Sequence, residues 1–227
     1  MKIPNFPETV WLFDYDLTLY REREILESLD SRISLFVERT VGCSFDEASR
    51  IRKDYLFRFG TTLAGLRKVY GVSPDDYFDF IHETEHLTYP EFSREKLRLL
   101  REIAGPKYVF TNGRSDWSRE GISRMGLSEC FRKIVGLENL DWEGKPSENA
   151  YRKMENVLSA DLGDFWKKSS GKIVLLDDSL KNLEPAHDRG WVTVWVNADG
   201  ESVPPFVDSK IPDLMRLRDL LLPDCSR

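Results

Sequence analysis

The chain has 227 residues, 41% hydrophobic and 32% charged, with 39 acidic against 33 basic side chains and a formal charge of −6. That is the balance of a globular protein, and with no Lys/Arg block longer than a pair nothing in it attracts the phosphates of a nucleic-acid polymer. The longest apolar runs fall far short of the roughly 20 residues that span a bilayer, Met1 to Glu8 lacks the apolar stretch of a signal peptide, and Cys43, Cys130 and Cys225 form no C-x-x-C pair, so the expected setting is a reducing cytoplasm with neither disulfides nor a thiolate metal site.

In chain order, Val10-Trp11-Leu12-Phe13 is a short apolar run that reads as a strand buried on both faces. It ends on Asp14-Tyr15-Asp16, two carboxylates two residues apart where the chain leaves the sheet. Such a pair is a metal site, a dyad sharing a proton, or two solvated acids in a surface turn. From about Glu22 to Glu85 no strand-like run occurs. Ile25, Leu29, Ile33, Phe36 and Val37, then Tyr55, Phe59, Leu63 and Leu66, fall at helical spacing, and breaks at Gly42 to Ser44, Gly60 and Gly71 to Pro74 divide the interval into about four helices. Ser73-Pro74 reads as an N-cap with proline at the first helical position.

Helix and strand then alternate, which means an α/β sheet. Arg94 to Ile103 is helical. Tyr108-Val109-Phe110 is a strand ending in Thr111-Asn112-Gly113, whose hydroxyl, amide and freed backbone can donate to a phosphate. Trp117 to Met125 is helical. In Gly144-Lys145-Pro146-Ser147 the lysine precedes a proline that starts a helix running to Leu158, so it is either held near a positive helix N-terminus or simply solvated. Ile173 to Leu176 is a strand that delivers Asp177-Asp178-Ser179. A helix over Leu180 to Arg189 and a strand over Trp191 to Val196 follow. Asn197 to Gly200 has turn chemistry, and Pro212 to Leu222 is expected to close the domain as a helix. The implied organisation is an α/β core of residues 1–20 and 90–227 with a helical cap of residues 21–89.

The succession Asp-x-Asp, Thr-Asn, Lys-Pro, Asp-Asp resembles the haloacid dehalogenase superfamily of phosphotransferases in all four of its motifs, across the whole core. With helices inserted directly after the first motif, it is similar to the branch capped at that position. Phe13-Asp14 through Leu19-Tyr20, the segment from Tyr55 to Leu66 containing Phe59-Gly60-Thr61-Thr62-Leu63-Ala64-Gly65, and Asp177-Asp178-Ser179 with Asn182 are similar to pyrimidine 5'-nucleotidases. Leu17 departs from them, since they commonly carry Asn there.

The resemblance implies a Rossmann-like parallel sheet with an all-helical cap, and a Mg²⁺-dependent phosphomonoesterase. Asp14 would be the nucleophile and Asp16 the acid and base. Asp14, the Asp16 backbone carbonyl and Asp178 would hold Mg²⁺, with Asp177 standing behind them. Thr111, Asn112 and Lys145 would bind the phosphoryl group, and Tyr55, Phe59 and Thr62 of the cap would meet the substrate. The substrate is expected to be a small phosphorylated metabolite, foremost a pyrimidine nucleoside monophosphate (UMP or CMP), with sugar phosphates as the alternative and a phosphomutase compatible with the same core. Asp16 argues against dehalogenase chemistry, because that branch lacks an acid there and a halide needs no proton.

Two rivals come from other classes. His82-Glu83-Thr84-Glu85-His86 satisfies H-E-x-x-H, and on a helix His82 and His86 would lie one turn apart, able to hold Zn²⁺ with Glu83 as base. A non-catalytic binding protein could also use the same fold. Trp11, Trp191 and Trp195 read as core, and no cysteine has the paired histidine of a nucleophilic thiol.

Overall fold

Strands apolar at every position need cover on both faces. The computed structural model describes residues 2–3, 5–83, 87–163, 172–196 and 202–222. In it β1 (Val10–Phe13), β2 (Lys107–Phe110), β3 (Lys133–Val135), β4 (Ile173–Asp177), β5 (Val192–Val196) and β6 (Ser209–Ile211) form one parallel sheet, ordered β3-β2-β1-β4-β5-β6. β1 lies in the middle, Phe13 opposite Val109 on one side and Leu176 on the other. Its residues alternate between layers. Trp11 and Phe13 pack with Leu99, Leu100 and Ile122, whereas Val10 and Leu12 pack with Tyr151, Met154 and Leu183.

The long helical interval forms α1 (Arg23–Val41), α2 (Phe45–Phe59), α3 (Thr62–Tyr70) and α4 (Pro74–Ile81), broken where the glycines predict. Gly42 and Gly71 take left-handed φ at the ends of α1 and α3, and the hydroxyl of Ser73 accepts from Asp76 N–H with Pro74 as the first helical residue. These helices bury their own cluster, including Val37, Ala48, Tyr55, Leu63, Leu66 and Tyr77, and Leu137 from the sheet side joins it.

Beyond them, α5 (Arg94–Glu102) and α6 (Ser115–Arg124) cover one face of the sheet, and α7 (Glu148–Leu162) and α8 (Leu180–Asp188) cover the other. None of the described helices is long and apolar enough to cross a membrane.

Three expectations are corrected. β3 and β6 were not anticipated, because each has only three residues and lies outermost in the sheet, where little apolar sequence is needed. The closing helix is a 3-10 run over Leu214–Asp219, capped by Asp213, which accepts from Met215 N–H. α7 begins at Glu148 with Ser147 as its N-cap, so Pro146 precedes the helix, because the serine hydroxyl can accept from Ala150 N–H and proline has no such group. Asn197 to Gly200 and Cys225 lie outside the described residues.

Candidate active site

Strand order fixes where the motif residues meet. The order 3-2-1-4-5-6 reverses direction between β1 and β4, and ligands of such sheets bind at the carboxyl ends of the strands flanking that point. Asp14 follows β1, Thr111 follows β2, and Asp177 and Asp178 close β4. Asp14 is pinned to its neighbour, its N–H donating to Leu176 C=O at 2.9 Å. The turn after it brings Leu17 into the left-handed region at φ 56°, which asparagine tolerates better than leucine. The position where the sequence departs from the nucleotidase pattern is thus the strained position of the turn.

Lys145 is wholly buried, and its Nζ donates to Asp14 Oδ1 at 2.9 Å and Asp177 Oδ2 at 2.5 Å. It is no solvated surface lysine. Burial works against its charge, yet Asp14 and Asp177 hold the ammonium above its ordinary range. Asn112 fixes its backbone, Nδ2 donating to Lys145 C=O at 2.8 Å and Oδ1 accepting Lys145 N–H at 2.7 Å. The close approach needs Gly144, since a Cβ there would lie 2.4 Å from Asn112 Oδ1. The Asn112 amide thus spends its oxygen and one of its two Nδ2 hydrogens on Lys145, which leaves the second hydrogen and the main-chain N–H, for which no hydrogen bond is seen among the described residues, to offer an anion. Thr111 is buried and accepts from Gly113 N–H at 3.0 Å.

The carboxylates outnumber this ammonium. Asp14, Asp177 and Asp178 place ligand oxygens within 4.8 Å of one another. Asp177 is committed inside the protein, accepting from Lys145, from Asn182 Nδ2 at 2.9 and 3.1 Å, and from Ser179 N–H at 2.9 Å. Asp14 and Asp178 remain. Burial, then the neighbouring carboxylates, push Asp14 upward against the pull of Lys145, and burial followed by Asp177 takes Asp178 up to about 7. Hard oxygen donors with unbalanced negative charge suit a divalent cation such as Mg²⁺.

Asp16 sits apart from this cluster. Burial raises its carboxyl, and Oδ1 accepts a short hydrogen bond from the Tyr20 hydroxyl. It lines two hollows at once. A cleft of about 610 Å³ holds Asp14, Asp178 and Trp195, while an inner cavity of about 280 Å³ between the helices and the sheet holds Arg52, Thr62 and Trp117; Asp16, Gly60 and Asn112 line both. Gly60, at φ +81°, leaves 3.2 Å between an added Cβ and Lys145 O, so the helical segment seats directly on the lysine turn. A larger hollow of about 950 Å³ beside β3 contains none of the motif residues.

Of the cap residues expected at the substrate, Thr62 lines the inner cavity. Tyr55 and Phe59 instead pack edge-on against each other at 5.5 Å in the helices' own cluster, because their helical spacing belongs to the apolar seam between α2 and α3. Of the zinc motif, the described residues His82 and Glu83 lie beyond the end of the helix. α4 ends at Ile81, the His82 ring stacks on Trp117 with centroids 4.7 Å apart, and Glu83 pairs with Arg32 at 2.7 Å. Thr84, Glu85 and His86 lie outside the described residues.

Three residues at the site were not read from the sequence as part of it. Tyr20 holds Asp16, and an Asp-to-Tyr interval of four residues was its signal. Trp195 Nε1 donates to Asp178 C=O at 2.9 Å, which a buried strand tryptophan does not announce. Arg52 is a charged side chain on an otherwise apolar helix face.

No family model matches the chain. Among solved structures, the HAD phosphatase from Thermococcus onnurineus is 20% identical with a TM-score of 0.62, a HAD hydrolase from Bacillus subtilis bound to magnesium is 19% identical at 0.57, and L-2-haloacid dehalogenase from Xanthobacter autotrophicus is 16% identical at 0.55; each alignment covers 93% of this chain and 97% of the other. Identities this low speak for architecture rather than activity, and the chain has the fold of the haloacid dehalogenase superfamily.

Proposed function

We propose that this protein is a Mg²⁺-dependent phosphomonoesterase that works through an aspartyl-phosphate on Asp14 and acts on pyrimidine nucleoside 5'-monophosphates. The observation that carries the reading is the place of Asp16, at the junction of the cleft holding Asp14 and Asp178 with the inner cavity under the helices. A phosphate in the cleft and a leaving group in the cavity would put the scissile bond beside it.

In the first step the Asp14 carboxylate attacks phosphorus as the bond to the leaving oxygen breaks, and Asp16 gives that oxygen its proton. In the second, Asp16 takes a proton from water as the water oxygen attacks phosphorus, and Asp14 is released. Tyr20 would keep Asp16 oriented for both transfers. Lys145 would orient Asp14 and offset charge on the phosphoryl oxygens, which Thr111 and the Asn112 N–H would bind. Mg²⁺, held by Asp14, Asp178 and the Asp16 backbone carbonyl, would neutralise phosphoryl charge when bound. Residues 21–89 would act as the cap that excludes water from the reacting centre.

The halide-displacing chemistry of the dehalogenases needs no acid at Asp16, so the hydrogen-bonded pair of Tyr20 and Asp16 would be idle in it. The pyrimidine assignment draws on the inner cavity, whose roughly 280 Å³ falls just under the range of about 300–1,000 Å³ common for ligand pockets. The test is Mg²⁺-dependent phosphate release from UMP, CMP, TMP, AMP, GMP, sugar phosphates and phosphoglycolate, with Asp14→Asn as control. Release from UMP and CMP that vanishes in Asp14→Asn is expected. Preference for a sugar phosphate would overturn the substrate, and silence on the whole panel would overturn the phosphomonoesterase and leave a binding protein or a phosphomutase.

A further inference from the structure

The inner cavity is walled mainly by side chains such as Leu26, Leu29, Ile33 and Phe78, yet two residues of its lining each carry a buried nitrogen donor with no hydrogen-bond partner. One is Nε of Arg52, a residue 9% exposed on α2; the other is Nε1 of Trp117, 5% exposed on α6. Buried donors are almost always satisfied, and those that are not call for a missing acceptor. Arg52 is otherwise bound at one point, Nη1 donating to Asp30 Oδ1 at 2.5 Å, while its own backbone carbonyl accepts from Thr62 Oγ1 at 3.2 Å. The Trp117 ring is fixed between His82 and Tyr89, with centroid distances of 4.7 and 4.3 Å.

We infer that Arg52, held by Asp30, is the specificity-determining residue for the leaving group and donates to a ring carbonyl oxygen of an uncharged heterocycle, with Trp117 on α6 as the second donor. This rests on the phosphomonoesterase reading above. Both orphan groups are donors, so the occupant must supply acceptors. Asp30 already balances the guanidinium and also lines the cavity, so an anionic leaving group would find no uncompensated positive charge there. Apolar walls with two donors favour a flat ring bearing two acceptors, as uracil does with its two carbonyls and cytosine with one carbonyl and N3. One donor stands on the helical segment and the other on the sheet side, so a ring bound to both would also hold the two together.

The test is a cycle between substrate and residue. Phosphate release is measured for UMP and for the 5'-phosphate of a ribose carrying a phenyl ring in place of the base, which keeps the shape and has no acceptor. Each is tried with the wild type and with Arg52→Lys, which keeps a cation beside Asp30 and loses the guanidinium fork. Wild-type kcat/KM should favour UMP by about 10- to 100-fold, Arg52→Lys should lose most of that preference, and its kcat/KM on the phenyl analogue should fall by much less than on UMP. Equal wild-type rates on the two substrates would overturn the inference without requiring any variant to fold. Wild-type preference for UMP with an unchanged preference in Arg52→Lys would overturn Arg52 alone and leave the nucleotidase reading standing. Absence of wild-type turnover on UMP, with turnover of sugar phosphates, would remove that reading and this inference with it.

Discussion

Lys145→Met isolates the largest electrostatic commitment in the site. Methionine fills nearly the same stem volume, so little cavity is created and the change is chiefly loss of the ammonium. In the wild type that ammonium, with no exposure, lies 2.9 Å from Asp14 and 2.5 Å from Asp177, and it stands 5.0 Å from the Phe110 ring centroid. Removing one partner of a buried ion pair costs about 3–5 kcal/mol, since the charge left behind is uncompensated. Two features hold the cost at the lower end. Asn182 and Ser179 still donate to Asp177, and a carboxylate freed of Lys145 can take up a proton. In a chain of 227 residues, with about 2–4 °C of midpoint per kcal/mol, unfolding followed by circular dichroism in chelator should fall by roughly 6–15 °C. Adding Asp177→Asn to Lys145→Met should cost less than the two single changes summed, by about 1–3 kcal/mol. A midpoint within about 2 °C of wild type, or strict additivity, would refute the placement of Lys145 as the cation between two buried carboxylates.

Three further outcomes follow from the geometry. Without metal, Asp178→Asn should be more stable than wild type, because it removes one of the crowded carboxylates; saturating Mg²⁺ should raise the wild-type midpoint, by about 2.7 kcal/mol at 100 times Kd, and leave the variant unmoved, as thermal scans with and without the ion would read. Leu17→Asn should stabilise the fold by about 0.5–1 kcal/mol, since asparagine carries a smaller penalty at the left-handed φ of this turn, and a denaturation midpoint at or below the wild type's would count against it. Burial takes the His82 imidazole down to about 4, with Asp116 opposing and Arg114 assisting, so the unfolded chain binds the proton more readily. Its contribution is intact above pH ~6.5 and is lost as pH falls toward 4, by about 2 kcal/mol at pH 5; His82→Phe, which keeps a ring against Trp117, should flatten that part of the urea midpoint profile, and parallel profiles would exclude the effect.

The parts of this molecule that depend on neighbours in sequence are those the sequence makes legible. Four central strands announce themselves as apolar runs, and the helix breaks at Gly42, Gly60 and Gly71 follow from local backbone chemistry. Lys145 shows the limit. Its surroundings predict a residue beside a helix N-terminus, yet its partners lie 131 and 32 residues away and are set by which strands are adjacent. The same holds for the Asn112 amide, whose hydrogen bonds to the backbone of Lys145 its own neighbours in sequence do not announce. In the helical segment, periodicity identifies the buried face and assigns Tyr55 and Phe59 to it without saying which part of that face meets the sheet. Arg52 carried the better signal, because a charged residue one turn after Ala48 on a buried face has to find a partner there.

The sheet order and the charge conflict belong to a single design. Placing β1 between β2 and β4 brings Asp14 against Lys145 from one side and against Asp177 and Asp178 from the other. A hydrophobic sheet edge gains nothing in stability from this, since several buried carboxylates around one ammonium repel one another and burial pushes Asp14, Asp16 and Asp178 up together. On the proposed function the arrangement would become favourable with a divalent cation and a phosphoryl group in the cleft, one answering Asp14 and Asp178 and the other answering Lys145. The destabilisation is local, confined to groups that the surrounding hydrogen bonds of Tyr20, Asn112, Asn182 and Trp195 hold in place. Tyr20 and Asn182 hold the carboxylates of Asp16 and Asp177 directly, while Asn112 and Trp195 fix the backbones of Lys145 and Asp178, so that a bound cation and phosphoryl group would relieve a charge conflict the fold has already fixed in position.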